Sequence, residues 1–348
     1  MIFLKKHTIP VGAPDKFSVV TNPNFKEGMV IIAAINIRMP LPHELENLHK
    51  IWRSCFSDED KSLFFSFFYK PELCKVVICD DAPVAMGFLI PVGNLVDSLR
   101  QKHPCAFVYA LATLPQFRGR GFACGIVEAL IREGVSRGYT AIALRPSEDS
   151  LFEYYNKNSP FREWFYCAES LFDFTDIGIA GSRPKQTGKT PASVELCKIS
   201  AEKYADLRND ILREHMPNGS CYVEMSAHAL RYQEKICKIY GGGLYCAKLS
   251  GGFAGGGFAV AAVELHSDNV VTIKELLAPA NPVSGKAGII SAISQIFPAR
   301  QYITRCPVVD FQNSAASKRF AMLAALPGIT DAGPLSQTSA PWCGLAFD

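Results

Sequence analysis

Residues 109–130, from Tyr109 to Leu130, read YALATLPQFRGRGFACGIVEAL. An apolar, strand-like run ends at Thr113 and Pro115 closes it. Arg118-Gly119-Arg120-Gly121-Phe122-Ala123 then opens a helix whose apolar positions Ala123, Ile126, Val127, Leu130 and Ile131 follow an amphipathic stripe. Glu128, Arg132 and Glu133 fall on the other side, and Gly138 supplies the stop. Strand, glycine-rich turn and helix N-terminus together make an arrangement that binds a phosphate group. Successive backbone N–H groups converge on the anion, and the helix dipole presents its positive end. Glycine at 119 and 121 lets the backbone approach an anion closely, and Arg118 and Arg120 add positive charge there.

The chain before this segment divides into recognisable pieces. Residues 1–28 are proline-spotted, lack a sustained period and read as an N-terminal extension. Val30–Ile37 suggests a strand, and Glu44–Phe56 and Lys61–Tyr69 suggest helices. Lys75–Cys79 and Val84–Ile90 read as strands joined by the turn signal Asp80-Asp81-Ala82-Pro83, with Cys105–Thr113 a further strand. Beyond the long helix come a short strand at Ala141–Leu144, a helix at Glu148–Lys157 and aromatic strand material at Phe161–Phe174.

Gly178–Ser193, GIAGSRPKQTGKTPAS, has almost nothing to bury and reads as a linker. Its Gly188-Lys189-Thr190 lacks the glycine that a phosphate loop needs five positions earlier, where Arg183 stands. The second half repeats the first in element order: strand Val194–Ile199, helices Ala201–His215 and Ala227–Tyr240, strands Gly243–Leu249, Phe258–Leu265 and Val270–Leu277, helix Ala287–Phe297 and strand Gln301–Cys306. The glycines at 241–243 and 251–257 fit a wide hairpin better than a nucleotide loop, since no striped helix follows them.

Arg118-x-x-Gly121-x-Ala123 resembles the Gln/Arg-x-x-Gly-x-Gly/Ala signature of the GNAT superfamily of acetyl-CoA-dependent N-acyltransferases, and ALATLPQFRGRG resembles that family's fourth strand and pyrophosphate loop. The resemblance covers about residues 30–175, and the two-lobed length further resembles bacterial tandem-GNAT proteins. It implies an α/β (α+β) fold: a mixed, mostly antiparallel sheet flanked by helices, in two GNAT-like lobes. The division it suggests is a catalytic lobe at 29–177, the linker at 178–193 and a second, degenerate lobe at 194–348. In that lobe Ala278–Gly288 lacks the basic–x–x–Gly pattern.

The resemblance further implies acetyl-CoA as acyl donor. Its pantetheine arm would lie along the backbone of Leu111, Ala112 and Thr113, with the pyrophosphate held by Arg118, Gly119, Arg120, Gly121, Phe122 and Ala123. A primary amine would attack directly, and a tyrosine in a Tyr-x-x-x-Gly-Phe context would protonate the departing thiolate. Tyr155 fits that tyrosine better than Tyr154, although Ser159-Pro160 replaces Gly-Phe and Phe161 comes one place late. Tyr155 could equally pack against the sheet with its hydroxyl bonded locally. The attacking ammonium must also lose a proton. The carboxylates at hand are Glu148 and Asp149, which read more simply as a helix cap, and Asp80 and Asp81 in the hairpin turn, and none of them is singled out as the base.

Composition bounds the alternatives. A length of 348 residues implies about two domains, and 48% apolar with 20% charged residues is ordinary for a folded, soluble chain. Lysine and arginine number 36 against 33 acidic residues, which gives no argument for nucleic acid or an anionic membrane. An RNA-associated reading would have to rest on Arg183, Lys185 and Lys189 alone. Leu249–Val263 is too short and glycine-rich to span a bilayer, and the N-terminus has no signal-like apolar core, which together suggest a cytoplasmic protein. The twelve cysteines are scattered without a Cys-x-x-Cys and read as reduced thiols, and no ligand spacing implies a metal. Besides the acetyltransferase, the sequence leaves open a non-catalytic acyl-CoA-binding sensor or interaction protein.

Overall fold

The computed structural model describes residues 36–173, 194–249, 257–267, 269–279, 283–308, 317–325 and 340–345. The N-terminal extension, most of the first expected strand and the linker lie outside these residues. The first half supplies β1 (Asn36–Arg38), α1 (Leu45–Arg53), α2 (Lys61–Phe68), β2 (Cys74–Cys79), β3 (Ala82–Val96), β4 (Lys102–Thr113), α3 (Phe122–Ser136), β5 (Ala141–Leu144), α4 (Asp149–Asn158) and β6 (Arg162–Asp173). From the second half come β7 (Val194–Lys198), α5 (Ala201–His215), β8 (Tyr222–Met225), α6 (Ala227–Ile239), β9 (Gly243–Leu249), β10 (Gly257–Ser267) and β11 (Val270–Leu277). It ends with α7 (Val283–Ile296), β12 (Gln301–Cys306) and β13 (Ser317–Ala325).

All thirteen strands join one sheet in the order β1-β2-β3-β4-β5-β13-β6-β12-β11-β10-β9-β7, with β8 pairing the far end of β3. Among the described strands only β4–β5 and β11–β12 run parallel, so the mixed, mostly antiparallel sheet expected from the sequence is what forms. The two halves mirror each other about the centre. There β13 of the second half lies between β5 and β6, while β6 of the first lies between β13 and β12. Each half thus lends its last described strand to the other.

Strand alternation sends neighbouring side chains to opposite faces, and the cores follow. Val76, Met86 and Phe88 join a core that gathers α1, α2, α5 and α6 from both halves, including Trp52, Phe64, Tyr204, Tyr222 and Tyr232. Val77, Ala85 and Leu89 face the other way, against Ile126, Val127 and Leu130 of α3 and Phe152 of α4. On the second half, α7 buries Ile289, Ile290 and Ile293. Each such side chain, fully buried, contributes about 1.5–3 kcal/mol relative to exposure.

The strands β8 and β13 and the segment Ala340–Leu345 are additions to the sequence reading. Trp342 of that segment forms an isolated parallel bridge with Tyr222, and its backbone N–H donates to the Cys221 carbonyl at 3.0 Å.

Candidate active site

The site begins with a defect in β4. Tyr109 pairs with Phe88 and Ala112 with Met86, so Ala110 and Leu111 together oppose the single residue Gly87. Ala110 absorbs this bulge at φ +48°, a left-handed conformation rare for a residue with a side chain. Gly87 lets α3 sit close, because a Cβ there would stand 2.7 Å from Ile126 Cγ2.

Beside the bulge the sheet opens. β4 pairs with β5 only through Cys105–Ala141, Ala106–Ile142 and Phe107–Ala143, whereas its other edge stays paired to β3 as far as Thr113. Among the described residues no strand covers the β5-facing edge of residues 108–113. Leu111, Ala112 and Thr113 lie on this edge, immediately after the bulge.

From Thr113 the chain passes through a short turn of 3-10 helix, Pro115–Phe117, into the loop. Gly119 and Gly121 both adopt φ +77°, and a Cβ added to either would meet nothing within 4 Å. Glycine is therefore required by backbone conformation at these positions and not by lack of space. Gly121 is the N-cap of α3, whose first turn has neither a capping side chain nor an acidic residue. The leading N–H groups of the helix have no intrahelical acceptors and present their partial positive charge outward.

The two loop arginines are anchored. Arg118 Nε donates to the Thr113 carbonyl at 3.1 Å, and its Nη2 lies 3.5 Å from Cys55 Sγ. Arg120 lays its guanidinium over the Phe117 ring, 5.1 Å from the centroid. Both charges thus stay beside the helix N-terminus.

Tyr155 is only 8% exposed and packs with Phe152 and Phe161 against α3. Its hydroxyl makes no hydrogen bond to a described residue, and burial, with a smaller contribution from Cys124, pushes its pKa well above the usual tyrosine value. Tyr154 instead places its hydroxyl 3.0 Å from Cys124 Sγ, on the first turn of α3, and burial raises its pKa too. The departure Ser159-Pro160 has a local solution. Ser159 leaves the helix in an extended conformation, and its hydroxyl caps the Tyr155 carbonyl at 2.6 Å. No left-handed glycine is needed, and Phe161 turns fully into the core.

The second half repeats the opening but fills it. β11 pairs with β12 only from Val270–Gln301 to Ile273–Thr304, and its pairing with β10 slips at Lys274. Beyond the slip, Glu275 is fully buried and takes a 2.9 Å ion pair from Arg208 Nε. Tyr204 Oη and Trp342 Nε1 also donate to Glu275, each at 3.0 Å. Arg208 finishes its bonding on the Val223 and Cys343 carbonyls. Gly344, at φ +69°, lies so close that a Cβ would strike the Glu275 carboxylate. Lys274 is likewise buried and pairs with Glu264 at 3.0 Å. This network is absent from the sequence reading, although Lys274 and Glu275 stand out as charges within the apolar strand VVTIKELL. Among the described residues no group of three or more histidine, cysteine or acidic side chains is placed to hold a metal ion. No helix there is long and apolar enough to cross a membrane.

Residues 43–158 match the family described as acetyltransferase (GNAT) family. No curated protein matches the sequence. A GCN5-related N-acetyltransferase from Anabaena variabilis superposes with a TM-score of 0.59 at 14% identity, over 83% of this chain and 72% of that one. A GCN5-related N-acetyltransferase from Kribbella flavida gives 0.56 at 13%, over 83% and 71%. Eis1 from Mycobacterium abscessus gives 0.53 at 13%, over 84% and 74%. At such identities the likeness is one of fold. The opened β4 edge, the loop into α3 and the sequence match agree: the chain has the GNAT fold, and its residues 43–158 match the GNAT acetyltransferase family.

Proposed function

We propose that the first half moves an acetyl group from acetyl-CoA to a primary amine, of a small molecule or a peptide, by direct attack. The observation that carries this reading is the unpaired β4 edge running through two left-handed glycines into an uncapped helix N-terminus. That surface fits the donor: backbone groups of Leu111, Ala112 and Thr113 would pair with the pantetheine amides, and the N–H groups of residues 119–123 would hold the pyrophosphate. When bound, acetyl-CoA supplies the acyl thioester.

One N–H of the β4 edge polarises the thioester carbonyl. As the amine nitrogen, its ammonium proton already lost to solvent, bonds to the acyl carbon and the carbon–sulfur bond breaks, Tyr155 gives its proton to the sulfur. The second proton shed by the nitrogen passes through solvent and restores the phenol. Its raised pKa keeps the phenol protonated throughout the physiological range. The same reading places the protein in the cytoplasm, where the thioester donor is available.

The test is a panel of amines offered to the purified full chain with acetyl-CoA, with thiol release measured. Release with at least one class of amine is expected. A second reading, a non-catalytic acyl-CoA-binding sensor, draws on the burial of Tyr155. Acetyl-CoA binding by calorimetry without release for any amine would select it, and absence of binding would remove both.

A further inference from the structure

Eight of the twelve cysteines are buried, and Cys197 alone is exposed. Cys197 lies on β7, at the outer edge of the sheet, directly opposite Cys246 of β9. Residues facing each other across an antiparallel pair share a face. Both cysteines accordingly line one shallow cavity of about 320 Å³, with Ile199, Leu207 and Phe258 as apolar wall and Lys203 at its rim.

The register fixes the spacing. Ile199 N–H donates to the Leu244 carbonyl at 3.0 Å, which makes 199–244 a hydrogen-bonded pair. Two residues along the ladder, 197–246 is again of that type, with Cα atoms about 5.5 Å apart, inside the Cα range of disulfides. Their Cβ atoms sit at the wide end of cross-strand spacing, so that bond formation must draw the edge strand β7 inward. The thiols also sense each other: burial raises the Cys246 pKa first, the neighbouring Cys197 raises it further, and the Lys203 ammonium opposes both.

We propose that Cys197 and Cys246 are a thiol–disulfide exchange site that closes into a reversible cross-strand disulfide on meeting a small-molecule disulfide such as oxidised glutathione. Cys197, as thiolate, attacks one sulfur of the reagent, whose S–S bond breaks and releases one thiol. Cys246 then loses its proton to solvent and attacks Cys197 Sγ in the mixed disulfide, releasing the second thiol. Two protein thiols are oxidised and one reagent disulfide is reduced. The product staples the edge strand β7 to β9.

Native full-length protein treated with oxidised glutathione and then digested with trypsin tests this. Each of the tryptic peptides 190–198 and 239–248 carries one cysteine. The expected result is their cross-linking, with two titratable thiols lost per chain from this pair, reversed by dithiothreitol. Cys246→Ser should stop at a stable mixed disulfide on Cys197, and Cys197→Ser should leave Cys246 unmodified. A parent chain whose Cys197 stays unreacted, or keeps glutathione without forming the cross-link, overturns the proposal. The parent map decides the matter even if either variant fails to fold.

Discussion

Tyr155 packs its ring beside α3, and its hydroxyl makes no hydrogen bond to a described residue. Tyr155→Phe therefore deletes a proton donor while leaving the ring packing intact. If Tyr155 is the acid, turnover should fall by roughly 10²–10⁴ with acetyl-CoA affinity little changed. Tyr154→Phe is the control, since it breaks only the bond to Cys124. Equal turnover of the Tyr155 variant and the parent, measured where chemistry limits the rate, would assign the proton elsewhere. At Gly121 the open space around the missing Cβ separates fold from function. Gly121→Val should retain the far-ultraviolet circular dichroism spectrum and lose acetyl-CoA binding. A β-branched residue at φ +77° is strained by about 1–2 kcal/mol and reshapes the loop. Undiminished affinity by calorimetry would remove the loop from the site. The motif that names these glycines was legible because it is local. The inward fastening of Arg118 was not, because its partners Thr113 and Cys55 meet it only after folding.

Among the elements, α3 shows why some were read closely. Its apolar stripe is unbroken, and one face packs on a sheet that needs a glycine opposite. Gly87→Val would press on Ile126, which is fully buried, and should destabilise the chain by about 1–3 kcal/mol, seen as a lower Tm. An unchanged melt would mean that α3 is seated less tightly than the contact implies. Strand β13 shows the opposite case. SKRFAMLAA is flanked on both sides in the sheet and buries Phe320 to Ala324 without alternation, so period 2 is missing from its letters. Alanine, methionine and leucine also favour helix, and only the partners β5 and β6 override that preference. The four-residue β8 is too short for periodicity to register, and its place is set by pairing with β3 across the fold.

At the scale of the molecule, the sheet has no seam between the halves. Residues 1–177 alone would lack β13, leaving β5 and β6 without their shared neighbour. They should show no cooperative melt, and a cooperative transition in that fragment would mean that the exchange is dispensable. Ligand stoichiometry follows from the contrast between the two openings. Among the described residues the first leaves its β4 edge without a partner strand, whereas the second holds the Arg208–Glu275 network at zero exposure. Calorimetry on the full chain should therefore return one acetyl-CoA per chain, and a value of two would mean that Glu275 gives way. The repeated element order was visible in the sequence. The exchange of last strands was not, because it depends on contacts between residues as far apart as Leu144 and Met322.

That exchange bears on what a lineage can discard. A spare copy whose opening has been filled is ordinarily free to erode, since nothing selects for its persistence. Here the filled half still supplies β13, and β13 seats β5, the strand from which β4 splays to form the first opening. A truncation that spared every residue of the loop into α3 would still take from β5 its neighbour on the other side. The second half is thus tied to the first as architecture, whatever its own opening holds.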